Sequence, residues 1–273
     1  MRIAITGGSG RVGRATLQLV LSEGHSAVNL DQHPMPEGED YPGVPFVQLK
    51  LADYEAVEQA LQGCDAVIHL AAIPSPNRHP EHVVHNNNVV GSYNVLLAAA
   101  KLGIKKVCQA SSVNATGLVY SRQPHFDYFP LDEKHPTYNE DPYSLSKWIC
   151  ELQGDSIARR YEDMTISSLR FSGLTTAPVT PISEVSNRNQ VHNLWAYTNL
   201  YAVTRACLAA LSADFKGHEV FYIVAPQTYA TIPSPELARE FYPDVPLRPG
   251  FGDHQGFFDS SKAERLLGWK HDI

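Results

Sequence analysis

No apolar run in this chain approaches the ~18 residues that a membrane-crossing helix needs, and the opening residues lack the apolar core of a signal peptide. A cytoplasmic protein without a membrane partner is therefore expected. Lys and Arg nowhere cluster, and 22 basic against 29 acidic residues leave a formal net charge of −7, which argues against nucleic acid or an anionic membrane as the main partner. Cysteine is scarce. Cys64, Cys108, Cys150 and Cys207 form no C-x-x-C pair, so reduced packing residues are expected rather than disulfides, metal ligands or a nucleophile. There is no internal repeat and no low-complexity tract. The absence of a G-x-S-x-G elbow argues against a hydrolase. His79, His82 and His85 recur every third residue, yet no acidic residue or cysteine completes a ligand spacing, so they read as a polar helix face and no metal is expected.

What is present begins with a strand. Ile3 and Ile5 dominate Arg2 to Thr6, a run apolar enough to be buried. Gly7, Gly10 and Gly13 follow at the spacing G-x-x-G-x-x-G and lead into a helix over Arg11 to Ser22. Gly7 permits a sharp reversal, Gly10 lets a phosphate approach the backbone, and Gly13 lets the helix lie close to the sheet, with its first N–H groups aimed at an anion. A second strand, Ser26 to Leu30, ends in Asp31. Glycines alone are weak evidence; between a strand and a helix, and followed by an acidic strand end, they fit a dinucleotide site.

The rest of the chain alternates strands and helices. Strands are expected at Val44 to Leu49, Asp65 to Leu70, Lys105 to Ser111 and Thr165 to Phe171, with helices at Asp53 to Leu61, Glu81 to Leu102 and Pro142 to Tyr161. Helices between strands imply parallel crossovers, so the fold class is α/β with a doubly wound parallel sheet. Residues 1–172 read as the dinucleotide-binding domain, joined later by a strand at about 219–224; residues 173–273 read mostly as a small substrate-binding lobe interleaved with it. Within that lobe Val191 to Leu211 reads as one helix, and Ser261 with Glu264 has capping-box spacing. Between Ser112 and Tyr143 lies a long connection whose length marks it as functional. Its Phe126, Tyr128 and Phe129 read either as a substrate lid or as packing against the lobe.

Tyr143 and Lys147, four residues apart behind Pro142, share one helix face. An ammonium beside a phenol favours the phenolate, so a lowered Tyr143 pKa and proton exchange near neutral pH are expected.

Thr6-Gly-Gly-Ser-Gly-Arg-Val-Gly13, His69-Leu-Ala-Ala72, Asn88-Val-Val-Gly91 with Asn94, Ser111-Ser112 and Tyr143-x-x-x-Lys147 stand in order between Met1 and about Phe171, with a weaker echo from Phe258 to Trp269. On these motifs the chain resembles the extended short-chain dehydrogenase/reductases of the NAD-dependent epimerase/dehydratase family, built on a Rossmann sheet. The resemblance implies that Ser112 hydrogen-bonds the reacting oxygen, with adjacent Ser111 as the alternative. It makes Tyr143 the general acid/base, assisted by Lys147, which also holds the cofactor ribose. Asn88 is either a polar support of that site or a buried brace of the backbone. Implied cofactor contacts are Gly7, Gly10, Arg11, Val12, Gly13, Asp31, Lys50, Leu51, Leu70, Ala71 and Ala72, together with Tyr143 and Lys147. Lys50-Leu51 departs from the Asp-aliphatic pair common in the family at this point.

Asp31 can accept from a ribose 2′-hydroxyl and would repel a 2′-phosphate, which favours NAD over NADP, although Arg11 and Arg14 pull the other way. Candidate substrate contacts are the polar residues Ser75, Asn114, Arg170, Ser172 and His192, beside strand ends or in the late loops. The expected activity is an NAD-dependent dehydrogenase acting on a hydroxyl or carbonyl carbon of a sugar or sugar acid. The alternatives are a nucleotide-sugar epimerase or dehydratase with tightly held NAD, disfavoured because Thr198 to Ala202 lacks the acidic pattern many such enzymes carry, and a non-catalytic NAD(P)-binding regulator. The resemblance also implies a homodimer through the helices Glu81 to Leu102 and Pro142 to Tyr161.

Overall fold

Alternating strand residues divide this molecule into two apolar layers. The computed structural model describes residues 1–272. In chain order the elements are β1 (Arg2–Thr6), α1 (Arg11–Ser22), β2 (Ser26–Asp31), β3 (Phe46–Gln48), α2 (Tyr54–Leu61), β4 (Ala66–His69), α3 (Glu81–Lys101), β5 (Lys106–Ala110), a 3-10 turn (Val113–Thr116), α4 (Pro142–Arg160), β6 (Thr165–Phe171), β7 (Leu174–Thr175), α5 (Arg188–His192), β8 (Thr198–Asn199), α6 (Leu200–Ser212), β9 (Gly217–Ile223), α7 (Ser234–Phe241) and α8 (Ser261–Leu267). Seven strands form a sheet of order β3-β2-β1-β4-β5-β6-β9, every pair parallel, and β7 with β8 makes a separate two-stranded ladder. Ile3 and Ile5 face α1 and α6, whereas Ala4 faces the other side, where α2, α3 and α4 pack. The expected doubly wound α/β sheet is thus present. Among the described residues no helix is long and apolar enough to cross a membrane.

Strand order reverses between β1 and β4, and the carboxyl ends of the parallel strands open a crevice there. Asp141 starts α4 beside that crevice: its Oδ1 accepts from the N–H groups of Tyr143 and Ser144, both at 2.9 Å, and Pro142 occupies the first turn. Asp53 caps α2, accepting from Ala56 N at 3.0 Å, so the helix itself begins one residue later, at Tyr54.

Beyond Phe171 several expectations are corrected. Val191 to Leu211 is not one helix. α5 ends at His192, Leu194 and Trp195 take positive φ (55° and 50°), and α6 starts afresh with the Asn199 carboxamide accepting from Tyr201 N at 2.9 Å. A straight helix could not serve both ends of this segment. Trp195 is fully buried in the lobe with its Nε1 donating to Val185 O at 3.0 Å, while Ala202, Val203 and Ala206 lie against the sheet. Two elements expected in the lobe, α6 and α8, therefore pack on the sheet. The Ser261–Glu264 capping box does not form either: Ser261 is already helical, its N–H goes to Asp259 Oδ1, and Ser260 in the cap position donates to Val224 O. The lobe keeps its own core, and Phe126 and Phe129 are buried in it against Tyr242, so these rings are packing and not a lid; Tyr128 instead lies under the Arg248 guanidinium at 3.9 Å.

Trp269 locks the chain's last turn onto α6. It is 4% exposed and its Nε1 donates to Ala202 O at 2.8 Å. Trp269→Ala is expected to lower the unfolding free energy by about 3–5 kcal/mol, read from urea denaturation.

Candidate functional site

The β1–α1 turn is crowded by backbone on two sides. A Cβ on Gly7, whose φ is +70°, would meet Ala71 N at 2.7 Å, and one on Gly13 would meet Gly7 O at 2.2 Å. Gly10 is different: its Cβ would touch only Gly7 O, at 3.2 Å. The turn, the end of β2 and the loop after β4 together line a cavity of about 640 Å³. Gly7, Gly10, Arg11, Val12, Gly13, Asp31, Leu51, Leu70, Ala71 and Ala72 all line it, as a dinucleotide cradle requires. Lys50 does not; it lines an adjoining cavity with Gln32 and His33. Asp31 accepts from Ser9 N at 3.1 Å and from His33 N at 3.2 Å, which fixes its carboxylate at the rim. Arg14 is paired with Glu39 at 2.6 Å and donates to Ser9 O, so its charge is committed within the protein.

Two landmarks gain structural reasons. Asn94 donates to Leu51 O at 2.8 Å, and Gly91 lets α3 come close to the Leu51 side chain, so both place the cavity wall. Asn88 is a brace: it accepts from Ile73 N at 2.8 Å and donates to Ile73 O and to Ser146 Oγ. At the end of β4, His69 Nδ1 lies 2.7 Å from Thr6 Oγ1; burial first and Lys147 second push its pKa down to about 3, so the ring is neutral.

Tyr143, Lys147, Ser111 and Ser112 meet where β5 ends against α4. The two serines are separated by geometry. Ser111 Oγ donates to Glu151 Oε1 at 2.5 Å, whereas the Ser112 hydroxyl is near enough to the Tyr143 phenol to lower its pKa. Asn114 donates to Ser112 Oγ from its backbone N–H at 3.1 Å. Lys147 Nζ donates to Ala110 O at 2.8 Å and stands 6.0 Å from the Tyr143 ring centre.

The expected lowering of the Tyr143 pKa is corrected. Burial dominates and raises it, with Ser112 pulling it part of the way back. Burial likewise pushes Lys147 down, opposed by Cys150 and Glu151.

The substrate candidates fare poorly. Arg170 is buried and forms a two-pronged pair with Glu151 at 2.8 and 2.7 Å. Ser172 is buried and donates to Asn193 Oδ1 and Ala196 O, and Ser75 caps a local turn through Asn77 N. Asn114 spends its carbonyl on Val119 N. His192, half-buried at the end of α5, is held below its usual pKa by burial and by Arg188. None of the five lines the cavity of about 400 Å³ that opens beside α4, whose wall is built from Tyr120, Glu140, Asp141, Arg188 and their neighbours. Tyr120 stands edge-on to Tyr143 at 5.8 Å. Sequence reading missed Tyr120 and Arg188 because nothing in a loop's composition tells which side chains turn inward; only the Asn187 cap of α5, accepting from Asn189 N, left a local trace.

The pattern of the family described as "NAD dependent epimerase/dehydratase family" matches residues 3–188. An N-acetyl-alpha-D-glucosaminyl-diphospho-ditrans,octacis-undecaprenol 4-epimerase of Escherichia coli O157:H7 is 30% identical over 192 residues, 70% of this chain, though this spans only about half (52%) of that protein. An L-arabinose 1-dehydrogenase (NAD(P)(+)) of Haloferax volcanii is 31% identical over 182 residues, 64% of this chain and 68% of its own. In fold, the UDP-glucose 4-epimerase of Thermotoga maritima, solved with UDP-glucose, superposes with a TM-score of 0.73 at 20% identity, over 100% of this chain and 94% of that one.

Gly13→Ala is expected to destabilise the protein by about 1–3 kcal/mol because its methyl would meet rigid backbone, while Gly10→Ala should cost well under half of that; paired urea titrations compare them.

Proposed function

We propose that this chain, which belongs to the NAD dependent epimerase/dehydratase family, is an NAD-dependent dehydrogenase acting on a hydroxyl-bearing carbon of a sugar or sugar acid. The observation that carries this reading is the grouping of Ser112, Tyr143 and Lys147 where β5 ends against α4: Ser112 pulls the Tyr143 pKa down against burial, and Lys147 Nζ, one turn on, stands 6.0 Å from the Tyr143 ring centre and donates to Ala110 O. Bound in that cavity, a nicotinamide dinucleotide supplies the acceptor for a hydride leaving the substrate carbon. Tyr143 takes the hydroxyl proton in oxidation and returns it in reduction, while Ser112 hydrogen-bonds the same oxygen in either direction. Lys147 steadies the phenolate and offers its remaining hydrogens to a ribose. Asn88 acts through the Ile73 backbone and not by touching the reactants.

Asp31 at the rim, with Arg14 neutralised by Glu39, supports NAD over NADP. Exposed Arg188 and half-buried Tyr120 in the smaller cavity suit a compact polyhydroxylated substrate, and residues 173–273 contribute Arg188 and Asn189 of α5 to its wall. The four free, buried cysteines fit a reducing compartment such as the cytoplasm. Val90 and Tyr93 on α3 and Leu152 on α4 are exposed, and they support a homodimer through these two helices. The likeness to the undecaprenol-linked 4-epimerase keeps a second reading in play, in which hydride leaves and returns within one turnover.

The readings separate on net reduced cofactor. A screen of sugars and sugar acids should yield accumulating NADH, with NAD preferred to NADP; isomerised product without NADH would establish the epimerase instead. Tyr143→Phe is expected to lower kcat by on the order of 100-fold or more while leaving NAD affinity within about twofold. Because burial raises the Tyr143 pKa, the phenol is protonated at neutral pH, so oxidation should speed up as pH rises into the alkaline range and reduction should slow. Rates in both directions across pH check this sign.

A further inference from the structure

Beneath the proposed site lie charges that no step above uses. Glu151 and Arg170 are each 4% exposed. Arg170 Nε and Nη2 donate to the two Glu151 carboxylate oxygens at 2.8 and 2.7 Å, and Nη1 donates to Tyr222 Oη at 3.2 Å. Glu151 Oε1 also accepts from Ser111 Oγ at 2.5 Å. The Tyr222 hydroxyl lies 3.4 Å from Thr116 Oγ1, in the turn that Ser112 caps. Four elements converge here: the end of β5, helix α4, and strands β6 and β9. A carboxylate placed in such a core is costly unless its oxygens are occupied, and here three donors occupy them.

We propose that Glu151 and Arg170 are a positioning pair for the reaction: through Ser111 they hold the end of β5, which carries Ser112 and the Ala110 carbonyl gripped by Lys147, against the helix that carries Tyr143. The proposal rests on the dehydrogenase reading of the site. Apolar side chains could fill the same volume without this cost, but they could not hold a hydroxyl at a set height beside α4. The carboxylate also lies one turn beyond Lys147 and supports its charge. The other titratable or charged groups around Lys147 are Tyr143 and Cys150 on the same helix, His69 from β4, and Arg170 from β6 behind the carboxylate.

Two variants test this in the full-length protein. Ser111→Ala removes only the hydroxyl and leaves the Glu151–Arg170 pair intact, so it should fold. It is expected to lower kcat by about tenfold or more, since misplacement by fractions of an ångström disturbs alignment, with NAD affinity held within about twofold. Unchanged kcat, or a loss of NAD affinity as large as the loss in kcat, would overturn the proposal. In Glu151→Gln, the 13Cε resonance of Lys147, assigned by its absence in Lys147→Met, should titrate at lower pH than in the wild type. An unchanged titration overturns the electrostatic half of the proposal. Should Glu151→Gln not fold, Ser111→Ala decides alone. If the wild type itself turns over no sugar, the dehydrogenase reading is what fails, and the Lys147 titration still decides whether the carboxylate supports its charge.

Discussion

The close approach of two backbones, the β1–α1 turn and the loop after β4, governs the architecture around the site. Gly7 and Gly13 leave no room for a Cβ because Ala71 and Gly7 themselves fill the space. That contact brings the amino end of α1 beside the point where strand order reverses, and it opens the cavity rimmed by Asp31. The same turn thus serves packing and ligand space, and the two can be told apart residue by residue. Gly13 is demanded by backbone, whereas almost nothing in the protein crowds Gly10.

A second constraint is burial of polar chemistry at the carboxyl end of β5. Tyr143, Lys147, Glu151 and Arg170 are all less than a tenth exposed, so each must be answered by hydrogen bonds from neighbouring strands. Ala110 answers Lys147, Arg170 and Ser111 answer Glu151, and Ser112 faces Tyr143. Burial outweighs the lowering by Ser112 in setting the Tyr143 pKa, because a phenolate inside the protein loses its water while the phenol does not. In the proposed reaction, the phenol is therefore a proton donor in the resting protein and becomes a base at higher pH.

Much was determined by the sequence alone. Glycine spacing, strand and helix periodicity, and Tyr143 four residues before Lys147 are local signals, and the parallel sheet, the first turn and the bounds of α1, α2 and β6 could be read from them to within a residue or so. Tertiary structure decided the rest, because it depends on where side chains point. Adjacent Ser111 and Ser112 diverge because neighbouring residues of an extended chain face opposite ways, one to Glu151 and one to Tyr143. Arg170 looked like a substrate contact and is instead held inside by a carboxylate nineteen residues earlier in the chain. The helix expected from Val191 was broken because Trp195 belongs to one core and Ala202 to another, a conflict between two packing surfaces that local periodicity does not record.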